Sequence, residues 1–156
     1  MKIWELLSPQ CVHLNLELTS KDAVLRFSAD MFTKNGIVSN AHHLYESMKQ
    51  REEMMSTGIG QGVGIPHTPS PEANDAAVLL LRLAHPIDFN ALDAEPVDIV
   101  IGLVVPKNAT VLHLQLLAGI SRLCHSPLFM EIIRQAEDVD TLRNSLRELE
   151  EAPENL

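Results

Sequence analysis

Two short aliphatic runs, AAVLLLRL (Ala76 to Leu83) and VDIVIGLVV (Val97 to Val105), constrain the fold of this chain more than any other feature. Both are bounded by prolines, and neither alternates apolar with polar residues as a half-exposed strand does. Continuous Val/Ile/Leu runs of this length fit strands buried on both faces. They fall far short of the roughly 20 apolar residues that span a bilayer. Such strands need a covering layer on each side, so helices are expected above and below the sheet.

The remaining periodicities supply those helices. Thr19 or Ser20 is placed as an N-cap, with Asp22 completing a capping box, before Val24, Phe27 and Met31 recur at helical spacing. Asn35-Gly36 is a stop signal. A second helix starts at Ser39 or Asn40, puts Leu44 and Met48 on one face and is expected to end close to Arg51. Segment 85–96 reads as loop, with room for one short strand or turn. Thr110 is taken as the cap of a helix whose His113, Leu116, Leu117, Ile120 and Cys124 share a face. Ser126-Pro127 opens another helix, and Leu142, Leu146 and Leu149 mark the buried stripe of a last one. Strands alternating with helices predict a single α/β domain over 1–150, its sheet between helical layers, followed by an acidic tail (151–156) that is expected to fray.

A formal net charge of −9 on 156 residues argues against nucleic acid and anionic lipid as partners. Two cysteines, Cys11 and Cys124, are too few for a disulfide framework and read as buried free thiols of a cytoplasmic protein. The opening MKIWELLSPQ carries Glu5 and lacks the apolar stretch of a signal peptide. No membrane insertion is expected.

Four of the seven glycines fall at alternate positions in REEMMSTGIGQGVGIPH, Arg51 to His67. Each costs more conformational entropy than alanine would, which suggests a purpose other than packing. Backbone N–H groups converging on an anion are one such purpose. A P-loop is excluded, because no lysine lies between Lys49 and Lys107. The G-x-G-x-G-x-G spacing, followed by PHTPSP, also departs from a dinucleotide-binding turn. No nucleotide or other cofactor is therefore expected. His67 could serve as a nucleophile near neutral pH, with N–H donors from Gly58 to Gly64 and the cation of Arg51 stabilising a phosphoryl group. An apolar rim of Ile59, Val63 and Ile65 would let an acidic body meet an acidic donor. His113 reads by itself as a half-buried helix residue with a local partner. His42 and His43 point to different faces, and His13, His85 and His125 are scattered, so no metal is expected.

The segment STGIGQGVGIPH resembles the phosphorylation-site signature of the fructose/mannitol-type IIA components of the bacterial phosphotransferase system. PVDIVIGLVVP (Pro96 to Pro106) and HLQLLAGISRLC (His113 to Cys124) resemble that family's core strand and following helix. PIDFNALDAEPVD (Pro86 to Asp98) looks most like its stand-alone nitrogen-regulatory members. The resemblance implies a mixed β-sheet sandwiched between helical layers. It implies that His67 is the phosphoacceptor, that Arg51 helps bind the phosphoryl group and that His113 assists. Ser56, Thr57, Gly58, Ile59, Gly60, Gly62 and Gly64 would form the phosphoryl-binding loop. Thr68 departs from the glycine that many members carry there. The implied partners are a histidine phosphocarrier protein of sugar type (HPr) or nitrogen type (NPr), and regulatory targets such as sensor kinases or potassium transporters. The alternative is a IIA component of a fructose/mannitol-type uptake system that passes phosphate to a IIB domain.

Overall fold

The two aliphatic runs pair with each other at the centre of a six-stranded mixed sheet in the computed structural model, which describes residues 2–152. In chain order the elements are α1 (Ile3–Leu6), a 3-10 turn (Pro9–Cys11), β1 (Val12–Leu16), α2 (Lys21–Lys34) and α3 (Ala41–Met54). Strands β2 (Gly58–Gly60), β3 (Val63–Gly64), β4 (His67–Ser70), β5 (Ala77–Ile87) and β6 (Val97–Pro106) follow, then α4 (Thr110–Cys124), α5 (Pro127–Gln135) and α6 (Val139–Glu151). The sheet order is β1-β5-β6-β3-β2, with β4 also pairing with β6. β1 runs parallel to β5, β5 antiparallel to β6, and β3 and β4 parallel to β6.

Alternation along β5 and β6 divides the interior into two cores. Val78, Leu80, Ile99, Ile101, Leu103 and Val105 face α1, α4, α5 and α6, where Leu116, Ile120, Phe129, Ile133 and Leu146 meet them. Leu79, Leu81, Val100 and Val104 face α2 and α3, against Val24, Phe32, Leu44 and Met48. With no polar face, both strands read as unbroken aliphatic runs. The sheet is thus sandwiched between helical layers, as expected.

Most helix starts follow their sequence signals. Ser20, Asn40, Ser126 and Asp138 each accept an N–H from three residues on. Gly36 adopts φ +79° and Ile37 N–H returns to Phe32 O, which closes α2 in a Schellman motif. Four expectations are corrected. The capping box does not form: Ser20 is the N-cap, which leaves Asp22 one residue short of the box position, with its carboxylate bonded to Arg26 and Tyr45. Thr110 is the first residue of α4 and Ala109 its N-cap, without a side-chain cap. Helix α3 runs past Arg51 to Met54, and β5 continues through His85 and Pro86 to Ile87 across a register shift. Of the expected tail, Glu151 is the last residue of α6 and Ala152 its C-cap, and residues 153–156 lie outside the described residues. Among the described residues no single helix is long and apolar enough to cross a membrane.

Candidate functional site

The glycine run is a β-hairpin. Gly58 pairs with Gly64 and Gly60 with Val63, leaving Gln61 and Gly62 as the turn, both at positive φ (60° and 74°). Positive φ at both central residues is what a type I′ turn demands. Gly64 lies between β2 and β6, and a Cβ there would come within 2.8 Å of the Phe89 ring. Packing and turn geometry therefore account for these glycines, contrary to the sequence-based expectation. Gly62 O accepts from Ile99 N–H, whereas Pro66 O accepts from Leu103 N–H. Those partners are four residues apart on β6, about 13 Å at the usual strand rise. The Gly60–Gly62 turn is thus remote from His67. At the near end, Gly58 N–H donates to Ser56 Oγ, and Ser56 Oγ–H donates to Phe89 O. Thr57 gives both its N–H and its hydroxyl to Glu52. The N–H groups of Thr57 and Gly58 and the hydroxyls of Ser56 and Thr57 are thus engaged within the protein.

His67 opens β4, opposite Leu103, and Pro66 just before it has no N–H to place in the ladder. Nδ1 of His67 lies 2.6 Å from Ile65 O. A carbonyl only accepts, so Nδ1 carries the proton and Nε2 the free lone pair. The residue is buried, with 9 % of its surface exposed. Burial is the main reason its pKa lies below the ordinary histidine value. The Ile65 bond opposes that shift, the charges of Arg51 and His113 add to it, and Glu52 opposes it. The imidazole is thereby kept neutral and nucleophilic.

His113 comes from the first turn of α4, its ring centroid 5.2 Å from that of His67 in an edge-on arrangement. It is half-buried, as its position on the apolar face suggests, but Nε2 has no hydrogen-bond partner among the described residues. A buried nitrogen without a partner is costly to keep unless something fills it in the working state. Burial first and Arg51 second push its pKa down. Arg51, in the last turn of α3, anchors Nη1 on Met55 O at 2.8 Å, and its charge is felt by both imidazoles. The structure therefore brings together His67, His113 and Arg51 from β4, α4 and α3. Thr68, next to His67 on β4, is buried, and its hydroxyl donates to Pro69 O.

The rim differs from expectation. Val63 and Ile65 are core residues, and Ile59 is half-buried against the same core. Exposed apolar side chains close in the chain to Arg51 and His113 are instead Met54 and Met55, which follow Arg51, and Val111 and Leu114, which flank His113. His42, His43, His85 and His125 are exposed, and His13 packs edge-on against Phe27. Among the described residues no three His, Cys, Asp or Glu side chains converge as a metal site. Sequence reasoning overlooked Glu52, an acid buried beside this cluster. Its signal was present, since Leu44, Met48 and Glu52 recur every four residues on one helix face.

The chain is similar to known proteins along most of its length. Residues 5–149 match the family model described as "Phosphoenolpyruvate-dependent sugar phosphotransferase system, EIIA 2". A nitrogen regulatory protein of Bradyrhizobium diazoefficiens is 33% identical over 147 residues, covering 94% of this chain and 95% of the relative. A "PTS system fructose-like EIIA component" of Escherichia coli is 33% identical over 135 residues, with 86% and 89% covered. The crystal structure of nitrogen regulatory protein IIA-Ntr from Neisseria meningitidis superposes with a TM-score of 0.85 at 28% identity, covering 92% of this chain and 98% of that one.

Proposed function

This chain belongs to the phosphoenolpyruvate-dependent sugar phosphotransferase system EIIA 2 family, and from that premise we propose that its phosphoryl group is carried on Nε2 of His67. The observation that supports this most is the bond from Nδ1–H to Ile65 O, which leaves Nε2 as the nitrogen with a free lone pair. The donor is a phosphohistidine on a histidine phosphocarrier protein. Nε2 attacks phosphorus in line, the P–N bond to the donor breaks, and the electron pair leaves on the donor imidazole. The His67 proton stays on Nδ1 throughout. One P–N bond replaces another, so the site has only to position the groups and balance charge. The Arg51 guanidinium balances the phosphoryl oxygens, and the unpartnered Nε2 of His113, carrying a proton, donates to one of them. Met54, Met55, Val111 and Leu114 supply the apolar contact surface for the donor.

The phosphorylation state of His67 is also a signal in this reading. The likeness to nitrogen regulatory proteins supports regulatory targets such as sensor kinases or potassium transporters, which would bind one state preferentially. A second reading, uptake of a fructose-type sugar through a IIB domain, is supported by the equal identity to the fructose-like EIIA component. Purified protein should be offered phosphorylated HPr and NPr side by side and followed by intact mass. Wild type is expected to gain one phosphoryl group and His67→Ala none. Full phosphorylation of His67→Ala would overturn the assignment. Onward transfer to a IIB domain would favour uptake, and capture of targets by only one state would favour regulation.

A further inference from the structure

Glu52 is buried one residue after Arg51, on the inward face of α3. A carboxylate withdrawn from water needs its lone pairs filled and its charge balanced. Lys21 Nζ lies 2.6 Å from Oε2, Thr57 N–H donates to Oε2 at 3.2 Å, and the Thr57 hydroxyl donates to Oε1. Lys21 is itself held by Phe89 O at 3.1 Å and lies over the Phe89 ring.

The network continues through Thr57. Its carbonyl accepts Ile65 N–H at 3.0 Å, and the Ile65 carbonyl accepts Nδ1–H of His67 at 2.6 Å. Lys21, Glu52, Thr57, Ile65 and His67 thus form one continuous chain of hydrogen bonds, with Thr57 and Ile65 almost wholly buried. Stability alone is a weak reason for such a pair, because a buried ion pair seldom outperforms apolar residues of the same volume. An uncompensated anion here would also oppose a phosphoryl group on His67. Lys21 cancels that charge and leaves the Arg51 guanidinium for the phosphoryl oxygens.

We propose that Glu52 is a positioning residue of phosphoryl transfer. By tying down Thr57 it aims the Ile65 carbonyl at Nδ1 of His67, holds the proton there, and presents Nε2 to the donor. The carboxylate itself neither gains nor loses a proton. This role rests on His67 being the phosphoacceptor.

The test compares wild type with Glu52→Met, which keeps length but removes the acceptor, and Glu52→Gln, which restores one. Long-range nitrogen–proton NMR reads the His67 tautomer on unphosphorylated protein, a single-turnover assay with phosphorylated phosphocarrier reads the rate, and thermal melts read the fold. Wild type and Glu52→Gln are expected to hold the Nδ1–H tautomer. Glu52→Met is expected to mix tautomers and to slow phosphorylation roughly ten- to a hundredfold through lost alignment. Should Glu52→Met not fold, Thr57→Val carries the same expectation, with Thr57→Ser as its rescue. Variants that melt lower but keep tautomer and rate would overturn the role of Glu52 alone. A wild type that takes up no phosphoryl group would overturn the phosphoacceptor reading and this role with it.

Discussion

Gly62→Ala separates a hairpin glycine from a phosphate-binding one. Gly62 sits at φ +74°, where an L-residue costs about 1–2 kcal/mol. A Cβ there would lie 2.5 Å from Arg134 Nη2 and 2.8 Å from Asp98 Oδ1. Those atoms belong to a bidentate ion pair (3.0 and 2.7 Å), and Nη2 also reaches Gln61 O at 2.6 Å. The side chains can swing away, so the clash is relieved by giving up the pair. Being about a third exposed, that pair is worth only about 0.2–1 kcal/mol. Together the terms predict a loss of about 1.2–3 kcal/mol. At 2–4 °C per kcal/mol for a domain of this size, the melting temperature should fall by about 2–12 °C. Phosphorylation at a temperature where the variant is folded should stay within about twofold of wild type, because the turn makes no contact with the reacting group. Thermal melts beside single-turnover phosphorylation measure both quantities. Were the Gly62 N–H aimed at the phosphoryl group, the alanine would keep that N–H but displace it with the turn, and phosphorylation would slow well beyond twofold. Such a loss in a protein of unchanged melting temperature would refute the hairpin reasoning.

His67 and His113 both have pKa values below the ordinary one, burial being the main cause. The unfolded chain protonates both near pH 6.5, while the folded chain resists. The unfolded state therefore binds more protons below that pH, so stability should decline as pH drops from about 6.5 toward the folded pKa values and be flat above it. Denaturant melts across this range check the sign, and His67→Gln with His113→Gln should flatten the curve. Arg51→Gln should slow phosphorylation by roughly a hundredfold and raise both imidazole pKa values, readable by NMR titration, since its charge lowers each. Burial pushes the Cys124 thiol up to about 12. Alkylation of native protein near neutral pH should spare it, and mass mapping should find it labelled only after unfolding.

Features with a local cause were the ones legible in the sequence. The strands Ala76 to Leu83 and Val97 to Val105 announced their double burial through unbroken aliphatic residues. Ser20, Asn40 and Ser126-Pro127 announced helix starts, because a cap acts within three residues. His67 and Arg51 were legible beside the glycine run, whereas a role for His113 came only from the family resemblance. The alternate glycines misled, since freedom of backbone serves a tight turn and a close ring as readily as an anion. Strand β1 and helix α1 went unread, being four or five residues long with half-buried side chains at most positions.

By itself, then, the sequence determined the layered architecture and the chemical type of the site. Periodicity and capping are short-range properties, written where they act. The tertiary structure alone decided what meets what. His67 pairs with Leu103 near the end of β6, and the chain leaves that same end at Pro106 to begin α4 at Thr110, which brings His113 edge-on to His67. Lys21 meets Glu52 from a different helix, because α2 packs against α3 over the sheet. Such meetings depend on strand register and helix packing, so no local window of the sequence contains them.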